Sequence, residues 1–544
     1  MSTTVDGQGT ISGVVLNDHE SVTGAVVRIQ TTNISALTDH AGRFILTGTP
    51  TGKSVALTAY ATGFYITGPV KVTSGATDVS LFLTRHPSED NPSYQWVSAF
   101  RVAGEAGNCE NCHSDPHDPN SRLPFDEWRH DAHGTSATNP RFLSMYNGTD
   151  LSGTYRSPMT HYVVNRDYGR FPRPPDPNAP YYGPGYLLDS HGGPGDCAAC
   201  HVPAAAVNAP YGTDPNGKSL AHREGIACDL CHKLWAVRLD PATGLPRPNM
   251  PGVLSMEFRR PSEGHQLFLG PFDDVAPGED TYSPLQKQSQ ICAPCHVGDF
   301  WGVQVYNSFG EWLSSPYADP EKGQTCQDCH MPRRGARRIA LLEKGGLQRD
   351  VSTVFSHLMP GAADEALLRD TAKVEMDARI REGRILVEVR VTNEKAGHHI
   401  PTDHPARNIL LLVTATDARR TELEHLGTQR IPDWGGKGDD ADDYAGRPGK
   451  GYAKILEELW TEVAPTAAYW RQTVLRADTR IPAKGVDITH YEFRRPSDGG
   501  PVVVKARLIF RRAFKVLADQ KSWKVPDILM NETTLTISSM PKIL

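Results

Sequence analysis

Apolar and polar positions alternate at both ends of the chain and lose any regular period in the middle. Over residues 8–85, "GTISGVVLN", "GAVVRIQ", "GRFILTG", "SVALTAYA" and "DVSLFLT" are short runs rich in β-branched residues and separated by turn residues. Strands of that length and spacing predict a small β-sandwich. "RHPSEDNPSYQW" (85–96) then reads as a polar linker broken by Pro. From residue 374 the period of two returns. Ile385, Val387, Val389 and Val391 fall on one face of a strand, with Glu388, Arg390 and Thr392 on the other. "ILLLVTATD", "VVVKARLIF" and "TLTISSM" extend this into a second, larger sandwich. Residues 97–373 hold neither period for long, and Pro-rich loops such as "FPRPPDPNAPYYGPGY" dominate them. The pattern predicts a multidomain chain: an N-terminal β-sandwich (8–85), a central loop-rich and helical domain (97–373) and a C-terminal β-sandwich (374–544).

The cysteines say what fills the middle. All ten fall in one five-residue word, Cys-x-x-Cys-His, which occurs five times: Cys109, Cys112 and His113; Cys197, Cys200 and His201; Cys228, Cys231 and His232; Cys292, Cys295 and His296; Cys326, Cys329 and His330. With 21 His in 544 residues, His after all five pairs by chance has odds of roughly one in ten million. A four-cysteine zinc site consumes words in pairs, and gives no reason for the His. A redox dithiol needs a βαβ frame that these loops lack. Disulfide scaffolds belong to short secreted chains. Covalent haem c accounts for every residue of the word, since two thiols add to the two vinyl groups and the adjacent imidazole reaches the iron. The words therefore predict five covalently bound haem c groups, with the ten cysteines as attachment points and the five histidines as proximal ligands. The porphyrin discs then serve as the core of this section, wrapped by short helices that follow each word.

Charge changes the picture little. A net charge of −6 favours neither nucleic acid nor an anionic membrane as partner. No apolar run approaches the length of a membrane span. "MSTTVDGQGT" has neither a basic nor an apolar leader region, although haem c is attached outside the cytoplasm. The expectation is a periplasmic or extracellular protein whose signal peptide is not present in this chain.

The opposite face of each iron decides the chemistry, because a second imidazole leaves a site that only passes electrons and an open face admits substrate. His133 follows Trp128 on a predicted helix, with His130 as a local competitor. His222 lies six residues before Cys228. His265 and His357 stand beside apolar residues in polar loops. In "VTNEKAGHHIPTDHP", which links two predicted strands, His398 is favoured over His399, because successive residues of an extended chain point to opposite sides. His161 and His191 are weaker candidates. An uncoordinated loop or surface histidine is the ordinary alternative for each.

Laid out this way, "EWRHDAH", "EGIACDLCHK", "ICAPCH" followed by "EWLSSPYA", "GQTCQDCHMP" and "GHHIPTD" resemble the multihaem cytochrome c superfamily. That superfamily includes hydroxylamine oxidoreductase, pentahaem nitrite reductase and the tetrahaem cytochromes of nitrifiers. The resemblance spans residues 100–540, and Asp131 stands where the family's distal motif has Ser. "TDHAGRF" and "ATGFY" resemble the carboxypeptidase-regulatory-like, transthyretin-type domain, which implies a spacer or docking module at the N-terminus. All five words end in His, unlike the Cys-x-x-Cys-Lys of the nitrite reductase, and no cross-linking tyrosine is identifiable. The resemblance therefore implies a pentahaem electron carrier between a redox protein donor and acceptor, with no catalytic residue assigned. The sandwiches would dock it against partners, a membrane complex or its own copies. The alternatives are an oxidoreductase acting on a small nitrogen or sulfur oxyanion at a five-coordinate haem, and a subunit of an extracellular cytochrome filament.

Overall fold

Alternation at the N-terminus becomes two facing sheets. The computed structural model describes residues 8–103, 107–157, 162–165, 169–172, 178, 180–190 and 193–538. One sheet orders Glu20–Ser21, Gln8–Asn17 and Arg43–Pro50, with Val79–Phe82 parallel to Gln8–Asn17; the other orders Ser35–Leu37, Val26–Ile29, Ser54–Tyr60 and Thr67–Thr73. Ile11, Val15, Phe44, Leu46, Leu57 and Leu81 form the core between them. Gly13 permits the parallel pairing, since a Cβ there would lie 2.0 Å from the Val79 carbonyl oxygen.

The C-terminal period of two is also realised as burial. Ala372–Arg381, Arg384–Asn393 and Val486–Arg494 make a three-stranded sheet. Thr473–Asp478, Gly449–Glu458, Asn408–Thr416, Val502–Arg511 and Ile528–Ile537 make a five-stranded one. Ile385, Val387, Val389 and Val391 meet Leu411, Val413, Val504 and Leu508 in one core cluster. The strands of the three-stranded sheet alternate because only one face is covered, whereas Asn408–Thr416 is buried on both faces, with Leu410 and Leu412 in a second cluster with Ile431 and Tyr444.

The described part of the central section has two-stranded ribbons and short helices. Among these the longest helix is Pro140–Asn147, capped by the Asn139 side chain and stopped by Gly148 at φ 69°. The words themselves are short turns: Glu110–His113, Ala198–His201, Cys228–Cys231 and Cys326–His330 are single helical turns and Ser289–Cys292 is a 3₁₀ turn, and among the described residues a helix directly follows only the second word, Pro203–Ala206. Among the described residues no helix is long and apolar enough to cross a membrane.

Candidate metal centres

A single turn is what the word requires. The His113 amide donates to the Cys109 carbonyl at 2.9 Å, His201 to Cys197 at 3.0 Å, His232 to Cys228 at 3.0 Å and His296 to Cys292 at 3.1 Å. These bonds place positions one, four and five of each word on one side of the turn. At the fifth word Thr325 and Asp328 form a reciprocal cap that starts the helix. Burial, aided by Asp196, pushes the Cys197 thiol up to about 12, and burial with Cys295 does the same to Cys231. Among the described residues no three His, Cys, Asp or Glu side chains converge as in a protein-only metal cage.

The imidazoles are oriented as ligands. His113 donates from Nδ1 to the Ile339 carbonyl at 2.6 Å, His232 to Leu269 at 2.8 Å and His330 to Pro360 at 2.7 Å. His398 donates to the carbonyl of His399 at 3.0 Å. His296 and His133 donate to carboxylates instead, Asp403 Oδ2 at 3.2 Å and Asp131 Oδ1 at 2.8 Å. Holding Nδ1 in a hydrogen bond points Nε2 outward as the atom that can meet a metal. Burial lowers the pKa of His113, His232 and His330, and takes His201 to about 4, so these rings are neutral at pH 7. His296 differs, because Asp403 outweighs burial and raises it to about 9.

Two pairs of rings face each other. His330 and His398 have centroids 6.2 Å apart with planes 14° from parallel, and His133 and His296 are 6.4 Å apart at 61°. A metal–imidazole bond is about 2 Å and the ring centre lies about 1 Å beyond, so two imidazoles on opposite faces of one metal have centroids roughly 6 Å apart. Both pairs fit that spacing. The cysteines of each word would anchor a haem c and the paired histidines would ligate its iron, which would supply a one-electron couple.

The remaining predicted residues are placed less alike. His133 is not on a helix, which ends at Trp128. The Asp131 carboxylate takes the His133 amide proton at 2.8 Å and turns the chain, a side-chain bond that competes with helix propagation. His357 is held by Glu127, which accepts its amide at 2.7 Å, and its pKa is pushed to about 4 by burial, His232 and His113. His222 is partly buried with Nδ1 on the Ser219 hydroxyl at 2.7 Å, and its short helix packs on the Pro203–Ala206 helix that follows the second word. His265 is exposed on its loop, and the structure brings it to no word histidine. His161 and His191 lie outside the described residues. His404, six residues beyond His398, is a further candidate that its immediate neighbours in sequence do not single out. Burial and Arg407 drive its pKa to about 3, and it also feels the charge of His201. Its signal was its place in the stretch that carries His398.

The words also meet one another. Cys109 lies close enough to Cys228 to raise the pKa of its thiol, as Cys295 does for Cys200 and Cys326 for Cys292. Cys231 lies within electrostatic reach of Cys295. Five words separated by up to 88 residues in sequence thus form one connected cluster.

No family model matches the chain, and no curated protein matches it in sequence. Among solved structures, a type II cohesin-X-dockerin complex of Acetivibrio cellulolyticus matches at 20% identity over 14% of this chain and 58% of that one, and its TM-score of 0.13 carries no argument. A penta-haem cytochrome c552 from Thermochromatium tepidum matches at 20% identity and a TM-score of 0.51, over 79% of this chain and 97% of that chain. At that identity the likeness is one of fold: the chain has the fold of a multihaem c-type cytochrome.

Proposed function

We propose that the chain is a pentahaem c-type cytochrome that carries electrons between a donor and an acceptor protein outside the cytoplasm. The ten word cysteines anchor five haems and the five word histidines ligate their irons. His398 fills the face opposite His330, and His133 the face opposite His296. His404 joins His222 as candidate for the face opposite His201, His357 serves the first or third word, and His265 is the candidate for the other of these two. The observation that carries the reading is the pair of facing imidazole couples at 6.2 and 6.4 Å, each leaving no open face for substrate. Bound haem iron supplies a reversible one-electron couple. The contacts between words keep neighbouring centres close enough for electrons to hop.

One observation favours a second reading. His357 is electrostatically coupled to both His232 and His113, and one imidazole cannot serve two irons. An iron of the first or third word left with one histidine would be the seat of an oxidoreductase acting on a small nitrogen or sulfur oxyanion. Intact-mass measurement of the exported protein should show five covalent haem additions, and Cys228→Ser should weaken only one attachment. The oxidised protein should lack a high-spin charge-transfer band and bind neither cyanide nor carbon monoxide rapidly. Fewer than five additions contradict the pentahaem reading, and a ligand-binding high-spin iron replaces the carrier with the enzyme.

A further inference from the structure

The hydrogen bonds behind the imidazoles divide the centres into two kinds. At His113, His232, His330 and His398 the Nδ1–H is taken by a peptide carbonyl, a neutral dipole. At His133 and His296 it is taken by a carboxylate. These two rings are the ones that face each other across a single centre, 6.4 Å apart. The fourth word is therefore the place where both axial imidazoles are backed by negative charge. The two carboxylates come from different parts of the fold: Asp131 from the turn after the Pro124–Trp128 helix, and Asp403 from the loop of the C-terminal sandwich.

Both carboxylates are built in. Asp131 is buried, and besides His133 it accepts the Met359 amide on Oδ2 at 3.1 Å. Asp403 accepts the Ser308 hydroxyl on Oδ1 at 2.8 Å, and Arg407 stands 3.7 Å from Oδ2. That guanidinium offsets part of the Asp403 charge, while among the described residues Asp131 has no cation in ion-pair contact other than His133 itself. A carboxylate acceptor draws the Nδ1 proton towards itself and returns electron density to Nε2, which makes the imidazole a stronger donor. Stronger donation and nearby negative charge both favour the ferric over the ferrous state, so they act in the same direction on the potential.

The same word is the junction of the cluster. Cys295 lies within electrostatic reach of Cys200 of the second word and Cys231 of the third, and Cys292 within reach of Cys326 of the fifth. The first word joins through the third, by Cys109 and Cys228.

We infer that Asp131 and Asp403 are positioning residues that make the centre between His133 and His296 the most reducing of the five, so that the branch point of the electron network is also its highest step. The inference rests on the pentahaem reading above. Each transfer through this centre moves one electron and leaves both Nδ1–H bonds intact. Electrons therefore reside on the outer centres and cross the fourth only in passing, which separates the second, third and fifth words into arms that exchange slowly unless a partner drives them.

The test uses the haem-loaded full chain with Asp131→Asn and Asp403→Asn, singly and together. Asn keeps an oxygen acceptor for the backbone and hydroxyl donors while removing the charge. Redox titration followed by visible and electron paramagnetic resonance spectra resolves the midpoints. The rings at 61° bring the two iron π orbitals close in energy and give a large-g signal, whereas the pair at 14° gives an ordinary rhombic one, so the midpoint of the fourth centre can be followed by its own signal. The lowest midpoint of the wild-type protein should belong to that signal, move to more positive potential in each single variant and further in the double, and return towards wild type in Asp131→Glu. The other four midpoints should stay in place, which a general loosening of the fold would not allow. A lowest midpoint on a different signal, or one that neither single variant moves, overturns the inference while leaving five covalent haems intact by mass. A wild-type protein lacking covalent haem overturns the pentahaem reading and this inference with it.

Discussion

Under the proposed function two histidines are candidates for the face opposite His201, and their surroundings differ. His404 stands beside Tyr469, at 6.0 Å between rings, where burial and Arg407 keep it neutral. His222 holds a hydroxyl on a short surface helix. If His404 is the ligand, His404→Ala should create one high-spin iron, seen as a new charge-transfer band, and raise the midpoint of that centre because a strong donor has been lost. His222→Ala should leave the spectrum unchanged, and the reverse result would assign His222. The difficulty of reading this choice from sequence is physical. Attachment by Cys-x-x-Cys-His is settled by neighbours one turn apart, but nothing adjacent to a distal histidine records which iron lies across the gap from it.

At the scale of elements, the decisive piece is the loop that leaves strand Arg384–Asn393 and carries His398, Asp403 and His404. Its position is set by Glu311 on the Ser308–Leu313 helix beyond the fourth word. The Glu311 carboxylate accepts the His399 amide at 3.1 Å, the Thr402 hydroxyl at 2.7 Å and the Arg480 guanidinium at 2.6 Å. Burial raises its pKa, but His399, Arg480 and Thr402 outweigh it and hold the group at about 2 against an ordinary 4.5. A carboxyl depressed on folding stabilises the native state fully above its unfolded value and loses that contribution as pH falls towards its folded one. The difference corresponds to roughly 3 kcal/mol. Denaturant titrations should show stability falling between pH 4.5 and about 2, and Glu311→Gln should flatten that limb and lower stability at pH 7 by a similar amount. An unchanged acid limb would mean that other carboxylates set it. The loop was visible in the sequence as an interruption between two strands, whereas its anchor on a helix some 90 residues earlier was not.

For the whole molecule, the N-terminal sandwich is tied to the central section by an interface and not only by a linker. Asp274 accepts the Thr31 amide at 2.7 Å and pairs with Arg349 at 2.8 Å, both side chains of the pair being almost fully buried. Arg28 pairs with Asp273 at 2.8 Å, and the Thr281 hydroxyl donates to the Phe64 carbonyl at 2.8 Å. His86 sits between Tyr65 and Trp235, 5.9 Å from each ring. A loosely hung spacer would need none of these. Asp274→Ala leaves Arg349 as an unpaired buried charge, which should cost about 3 kcal/mol. Calorimetry should then show the N-terminal sandwich melting ahead of the remainder, and limited proteolysis should cut between residues 85 and 96. A single unshifted transition would contradict this account of the interface.

The sequence by itself determined what depends on near neighbours. The alternation at Ile385, Val387, Val389 and Val391 specified a strand with one covered face, and each Cys-x-x-Cys-His specified a turn with two thiols and an imidazole on one side. Only the tertiary structure decided what lies across each gap. His296 meets His133 across 163 steps of chain and donates its Nδ1 hydrogen bond to Asp403, 107 residues away. The reason is geometric: a disc-shaped cofactor has two faces, the covalent word can reach only one of them, and the other is reached by whichever distant loop the packing of the domains delivers there.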